Sequence, residues 1–192
     1  MVSIDRAKKR QPSGESEHDL ICQCLRGDSE SFRQIYQRYQ RQVRSILFRL
    51  CGESQLDDLT QEVFLRAWKG LPKMQNPERF AAWLYRIAWN IATDYRRGAA
   101  QTRSRLESLS QQTQTQTPAP DLMHLHYQDL VQRGLAHLSF DHGSVLILHD
   151  LEGLSQNQIA EILAIPAGTV KSRLSRSRLA LKQFLHQQGV QL

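Results

Sequence analysis

LSQNQIAEILAIPAGTVKSRLSRSRLAL, residues 154–181, decides the fold. Ser155 stands where an N-cap is needed, and Ile159, Ala160, Ile162 and Leu163 form the apolar face of a short helix. Ile165-Pro166-Ala167 forces a tight break, because Pro166 has no amide donor and restricts the residue before it. A second, basic helix opens near Gly168-Thr169. Short helix, brief turn and basic second helix are the elements of a DNA-binding helix-turn-helix.

A helical wheel sharpens the second helix. At about 100° per residue, Val170, Leu174, Leu181, Phe184 and Leu185 gather on one side. Thr169, Ser172, Ser175 and Arg176 lie opposite, flanked by Lys171 and Arg173. Small polar residues with forked or flexible cations suit a face that enters the major groove. Arg178 and Lys182 lie further along and suit phosphates, which position without specifying. The plainer reading of such a helix is a solvated basic face on a core element; the short helix and turn before it weigh against that.

Outward from this motif, the charge pattern is polarised. The chain has 192 residues, 25 Lys+Arg against 19 Asp+Glu, and a net charge of +6. From residue 122 onward only six cations occur, and five fall between Lys171 and Lys182. Residues 19–97 hold 13 cations and 9 acids. Apolar content of 40% supports a real core, while no apolar stretch approaches the length of about 20 residues that a membrane span needs. Membrane insertion is not expected. Nor is secretion, because no apolar segment follows the basic Met1 to Arg10.

Gly98 to Pro120 is rich in Gln, Thr, Ser, Ala and Pro, including QQTQTQTPAP from Gln111. Such a stretch cannot bury enough surface to offset its ordering entropy. The expected organisation is therefore a disordered basic arm at 1–18, a domain at 19–97, a flexible linker at 98–121 and a domain at 122–192. Both domains read as helical, giving an all-α chain of two small units, the second with the helix-turn-helix. In the first, Phe32, Ile35, Tyr36, Tyr39, Val43, Ile46, Leu47 and Leu50 recur at helical spacing after Asp28-Ser29, and Gly52 stops them. Leu56 to Leu71 repeats the pattern up to Pro72, and Asn76-Pro77 opens a helix reaching about Arg97. No segment alternates with period two.

That last helix has two faces. Phe80, Leu84, Ile87, Ala88 and Ile91 are spaced to face a core, whereas Trp83, Arg86, Asn90, Thr93 and Arg97 lie opposite. Rings interleaved with cations can stack on unpaired bases while following the backbone. The same spacing also serves ordinary helix packing, so the residues alone leave both readings open. Asp57, Asp58 and Glu62 place three acids on a short amphipathic helix, as a basic partner or the helix dipole would each favour.

Several functions are excluded by what is missing. Three cysteines, Cys22, Cys24 and Cys51, include no CxxC pair, so neither a disulfide framework nor a four-ligand zinc site is expected, and a reducing cytoplasm is the natural setting. Cys22 and Cys24 read as buried helical cysteines. Nucleotide-cradling glycine motifs are absent. An enzyme would have to use His124, His126 and His149 as a metal site, but His-x-His on a helix points its rings to different sides. No catalytic residue, metal or cofactor is expected.

DDLTQEVFLRAW (Asp57 to Trp68), RFAAWLYRIAWNIATDYRR (Arg79 to Arg97) and the helix-turn-helix, in that order, resemble the extracytoplasmic-function sigma factors of bacterial RNA polymerase. The resemblance spans both domains, with the low-complexity stretch where that family has a linker. It implies a factor that binds core polymerase, directs it to promoters and nucleates melting, with no catalysis of its own. By the same resemblance, Asp57, Asp58, Gln61, Glu62 and Leu65 dock on the clamp coiled coil of the largest polymerase subunit. Lys73, Asn76, Arg79, Trp83, Arg86, Asn90 and Arg97 open and read the −10 element. Thr169, Lys171, Ser172, Arg173, Ser175, Arg176 and Arg178 read the −35 element. The flap of the second-largest subunit and an anti-sigma factor are further implied partners. PKMQNPER, at the loop, does not translate into a base, and Ser175 replaces a bulkier residue common in the family. The other reading, a helix-turn-helix regulator acting on duplex DNA alone, leaves the Trp83 face and the acidic helix without a role.

Overall fold

The computed structural model describes residues 16–107 and 124–190. Four helices build the first unit: α1 (Glu17–Leu25), α2 (Ser29–Cys51), α3 (Leu56–Gly70) and α4 (Phe80–Glu107). Single 3-10 turns at Leu71–Lys73 and Pro77–Arg79 join α3 to α4. The second unit has α5 (His124–His137), α6 (Phe140–Leu146) continued by a π-helical turn at Ile147–Leu151, α7 (Gln156–Leu163) and α8 (Ala167–Gln187). No strand occurs among the described residues.

Local chemistry accounts for most boundaries. The Asp28 carboxylate accepts the Glu30 and Ser31 amides at 3.2 Å each, closing the N-terminus of α2. Those bonds, with the Ser31 hydroxyl first, hold its carboxyl below the ordinary range. Gly52 ends the helix with φ of 81°, a left-handed value that glycine adopts at little cost. Asn76 caps the turn before α4 through its Oδ1, which accepts the Glu78 amide at 3.0 Å. Ser155 and Gln158 form a reciprocal capping box on α7. Because α7 has only eight residues, that cap carries much of its local stability. A Ser155→Ala variant is expected to lose about 1 kcal/mol, read as a lower urea midpoint with an unchanged m value.

Two boundaries differ from the sequence expectation. The arm ends earlier than residue 18, because Ser16 caps α1 and the Tyr39 hydroxyl donates to Glu17 at 2.7 Å. Residues 1–15 lie outside the described residues. The linker also starts later, since α4 runs ten residues past Arg97 to Glu107. Ala99, Ala100, Gln101, Arg103 and Arg105 are strong helix formers with no proline among them, so propensity carries the helix on. The remainder of the expected linker, 108–121, lies outside the described residues, as do residues 122 and 123.

Leu20, Ile35, Ile46, Leu47, Leu71, Phe80 and Leu84 are fully buried in the first unit, and Ile147, Leu148, Ile159 and Ile162 in the second. One continuous apolar cluster runs through both. The units are thus packed against each other rather than merely tethered. The contacts are made by α2 and α4 against α6, the π-helical turn and α7. Trp89 stacks on Phe140 at 6.3 Å, and the Arg96 guanidinium lies 5.1 Å from the same ring.

All three cysteines are free thiols on helices: Cys24 is buried, while Cys22 and Cys51 are half-buried. Burial, the larger effect, and the nearby Asp28 charge push the Cys24 thiol up to about 11. Burial alone raises Cys51 to about 11. Thiolate is the reacting form, so both are expected to be alkylated far more slowly at pH 8 in the native chain than in denaturant. Stopped-flow iodoacetamide labelling read by mass spectrometry checks this; equal native and denatured rates would contradict the burial.

Candidate nucleic-acid interface

The helix-turn-helix has the form its sequence requires. After Leu163 the chain turns at Ala164, whose φ of 54° lies in the left-handed region, and Pro166 precedes α8. Val170, Leu174 and Ser177 face inward. Ser177 was not flagged by the wheel; its Oγ sits 2.9 Å from the His142 carbonyl and ties α8 to α6. Lys171, Ser172, Ser175 and Arg176 are exposed together on the outer face, with Thr169 half-buried at its edge.

The remaining two cations of that set are engaged within the chain. Arg173 is only 26% exposed and pairs with Asp141 at 2.8 Å. Arg178 grips Asp150 with two bonds, Nε to Oδ2 at 2.9 Å and Nη2 to Oδ1 at 2.5 Å. The Arg178 bond is the largest reason that the Asp150 carboxyl titrates below its ordinary 3.8. A depressed carboxyl contributes stability above its unfolded value and loses it as pH falls through the folded one. This tie is therefore complete at neutral pH and weakens only below 3.8.

On the first unit, the loop between α3 and α4 and the start of α4 enclose a cleft of about 280 Å³, lined by Lys73, Asn76, Arg79, Trp83 and Arg86, with Glu161 of α7 closing one side. Lys73, Asn76 and Arg79 are exposed, as are Arg86, Asn90 and Arg97 along α4. Trp83 is half-buried, tilted against Phe80 at 5.8 Å. Its indole lies over Gly70, where a Cβ would come within 2.9 Å of Cζ2. Glycine at the end of α3 thus lets the ring seat against backbone. Asn90 and Arg97 stand one and three turns beyond Arg86 and do not line the cleft.

The acidic helix α3 places Asp57, Asp58, Gln61 and Leu65 on its exposed side, with Glu62 half-buried. Asp57 is bonded to Arg44, and Glu62 to Arg66 at 2.7 Å, whereas Asp58 has no ion-pair partner among the described residues. Sequence reasoning overlooked what lies beside them. Phe32 and Trp68 approach to 4.9 Å, and Tyr36 and Phe64 to 4.6 Å. They floor an open cleft of about 610 Å³ between α2 and α3, rimmed by Leu65, which is 44% exposed. All four aromatics fit the core periodicity, and periodicity does not say which flank of a helix remains uncovered. An exposed apolar cleft beside acids is a protein-docking surface in form.

These two halves match distinct family models. Sigma-70 region 2 matches residues 35–102, and sigma-70 region 4 matches residues 128–181. The chain is 29% identical over 169 residues to the ECF RNA polymerase sigma-E factor of Haemophilus influenzae, covering 83% of this chain and 89% of that protein. It is 29% identical over 172 residues to the sigma-E factor of Escherichia coli K12, covering 84% and 90%. The chain belongs to the extracytoplasmic-function sigma factors.

Among solved structures, the sigma factor RpoE in complex with the anti-sigma factor NepR from Bartonella quintana superposes with a TM-score of 0.67 at 25% identity, over 82% of this chain and 98% of that one. CnrH in complex with the cytosolic domain of CnrY shares the fold, with a TM-score of 0.69 at 24% identity over 90% of this chain and 98% of that one. As a sigma factor, the protein directs RNA polymerase to specific promoters. The stand-alone regulator is not favoured, because the region 2 match accounts for the first unit. No helix among the described residues is long and apolar enough to cross a membrane.

Proposed function

We propose that this sigma factor divides its work between three surfaces. Asp57, Asp58, Gln61, Glu62 and Leu65, with the neighbouring aromatic cleft, dock on the clamp coiled coil of the polymerase's largest subunit. Lys73, Asn76, Arg79, Trp83, Arg86, Asn90 and Arg97 engage the −10 element and nucleate its melting. Thr169, Lys171, Ser172, Ser175 and Arg176 read the −35 element in the major groove, and the second unit also meets the flap of the second-largest subunit. Arg173 and Arg178 contribute to the same helix face by holding it on its unit through Asp141 and Asp150. The chain works in the cytoplasm beside polymerase, which supplies the chemistry. The complexed state of the Bartonella quintana relative supports a protein inhibitor of the anti-sigma kind.

The observation that carries this reading is the exposed Lys171, Ser172, Ser175 and Arg176 face on a helix locked behind a capped α7. Run-off transcription with a bacterial core polymerase and a promoter library tests it: added protein should yield initiation from a defined subset of templates. No promoter-dependent product would overturn it. The docking assignment has its own test. Asp58→Arg inverts an exposed acid that has no ion-pair partner among the described residues, so core affinity should fall about tenfold or more, as for a charge facing a complementary partner. Fluorescence titration with core polymerase reads this, and unchanged affinity would make the acid a helix-dipole partner only.

A further inference from the structure

The outer face of α8 carries one large side chain that is neither polar nor charged. Leu179 is 58% exposed, more than Tyr36, Phe48, Leu65 or Leu151. Tyr36 and Leu65 line the docking cleft of the first unit, whereas Leu179 stands among the exposed Ser175, Arg176, Lys182 and Gln183. At about 100° per residue it lies opposite the buried Val170 and within about 60° of Ser172, Ser175 and Arg176. Its isobutyl group therefore does little to hold α8 on its own unit, and it shares the face assigned above to the −35 element.

Ser175, Arg176 and Leu179 follow Ser172 by three, four and seven residues. A homeodomain helix meets base edges with the same spacing. The stripe from Ser172 to Leu179 is about 10 Å long, shorter than the major groove is wide, at about 12 Å. All four positions thus fit the groove at whatever angle the helix enters. Helical side chains lean toward the N-terminus, so Leu179 covers the turn that holds Ser175 and Arg176 instead of reaching beyond it. Ser175 is small and leaves that space open. Of the groups that bases present in the major groove, the thymine C5 methyl is the apolar one.

We propose that Leu179 is a specificity-determining residue of the −35 helix, seated against the C5 methyl of a thymine beside the base that Arg176 reads. Ser172, Ser175 and Arg176 select by hydrogen bonds. Leu179 adds an apolar contact that cytosine, lacking the methyl, does not return. This rests on the assignment of the α8 face to the −35 element.

The full chain, assembled on core polymerase, is titrated with a fluorescein-labelled promoter duplex whose −35 element it has selected from a randomised pool. Each thymine of that element is replaced singly by deoxyuridine, which removes the methyl and alters no hydrogen-bonding group. For the wild type, one replacement should weaken binding about three- to fivefold, the factor expected for one buried methyl. Leu179→Ala should lose a similar factor on the parent duplex and nothing more on that deoxyuridine duplex, the coupling that marks a direct contact. Leu179→Met keeps an apolar reach and should retain most of the sensitivity. Both replacements are good helix formers at an exposed position, so the fold should be kept. Three results would overturn the proposal: a selected element without thymine, deoxyuridine penalties equal in the wild type and Leu179→Ala, or a Leu179→Ala loss that falls on core-polymerase affinity. The last would make Leu179 a protein contact. Failure of the −35 assignment itself is read separately, since Arg176→Ala would then leave promoter affinity unchanged as well.

Discussion

A Phe80→Ala variant is expected to lose about 3–5 kcal/mol of stability, the usual cost of emptying a large buried aromatic site. Phe80 is 1% exposed, meets Tyr39 edge to face at 5.5 Å and supports Trp83 at 5.8 Å. It stands at the first position of α4, directly after the turn that Asn76 caps. The cavity would therefore open where the core meets the loop between α3 and α4. Small domains have only about 5–15 kcal/mol in total, so the loss should shift the urea midpoint of the first unit strongly. Phe80→Leu keeps most of the volume and should recover more than half of the loss. A midpoint within experimental scatter of the wild type would mean that Phe80 does not anchor α4.

Arg176→Ala is expected to weaken −35 duplex binding by about 1–3 kcal/mol, the discrimination a bidentate Arg–guanine contact provides, or roughly five- to 150-fold. Arg176 is exposed and has no ion pair among the described residues, so its guanidinium is available to DNA. Arg173 supplies the contrast. Its guanidinium is spent on Asp141, so Arg173→Ala should lower thermal stability of the second unit and change duplex affinity much less. Mobility shifts on a duplex selected by the polymerase-bound factor would separate the two. Core-polymerase affinity should stay unchanged in both variants. Equal affinity losses from the two substitutions would remove the distinction, and a loss of core binding by Arg176→Ala would contradict the division between surfaces.

The helix-turn-helix was legible because its determinants are local. Ser155 bonds three residues ahead, Pro166 restricts its immediate neighbour, and Val170 and Leu174 stand one turn apart. The same locality placed α2, α3 and α4 from Asp28, Gly52 and Asn76. It set no bounds on α1, whose nine residues offer too few periods to stand out, and it stopped α4 at Arg97 because low-complexity composition outweighed the helix propensity of the next ten residues.

The sequence by itself determined an all-α chain, two units, a helix-turn-helix with a basic second helix and, through three motifs in order, the family. Each follows from interactions spanning a few residues, which composition and spacing record directly. Only the tertiary structure decided which cations are free. Arg176 is exposed while Arg173 meets Asp141 and Arg178 meets Asp150, although all three sit on one basic helix. Arg86 lies on the outward side of its helix, yet its partners are carbonyls about 75 residues away. A charge's partner is set by where the chain returns, and helical periodicity carries no information about that.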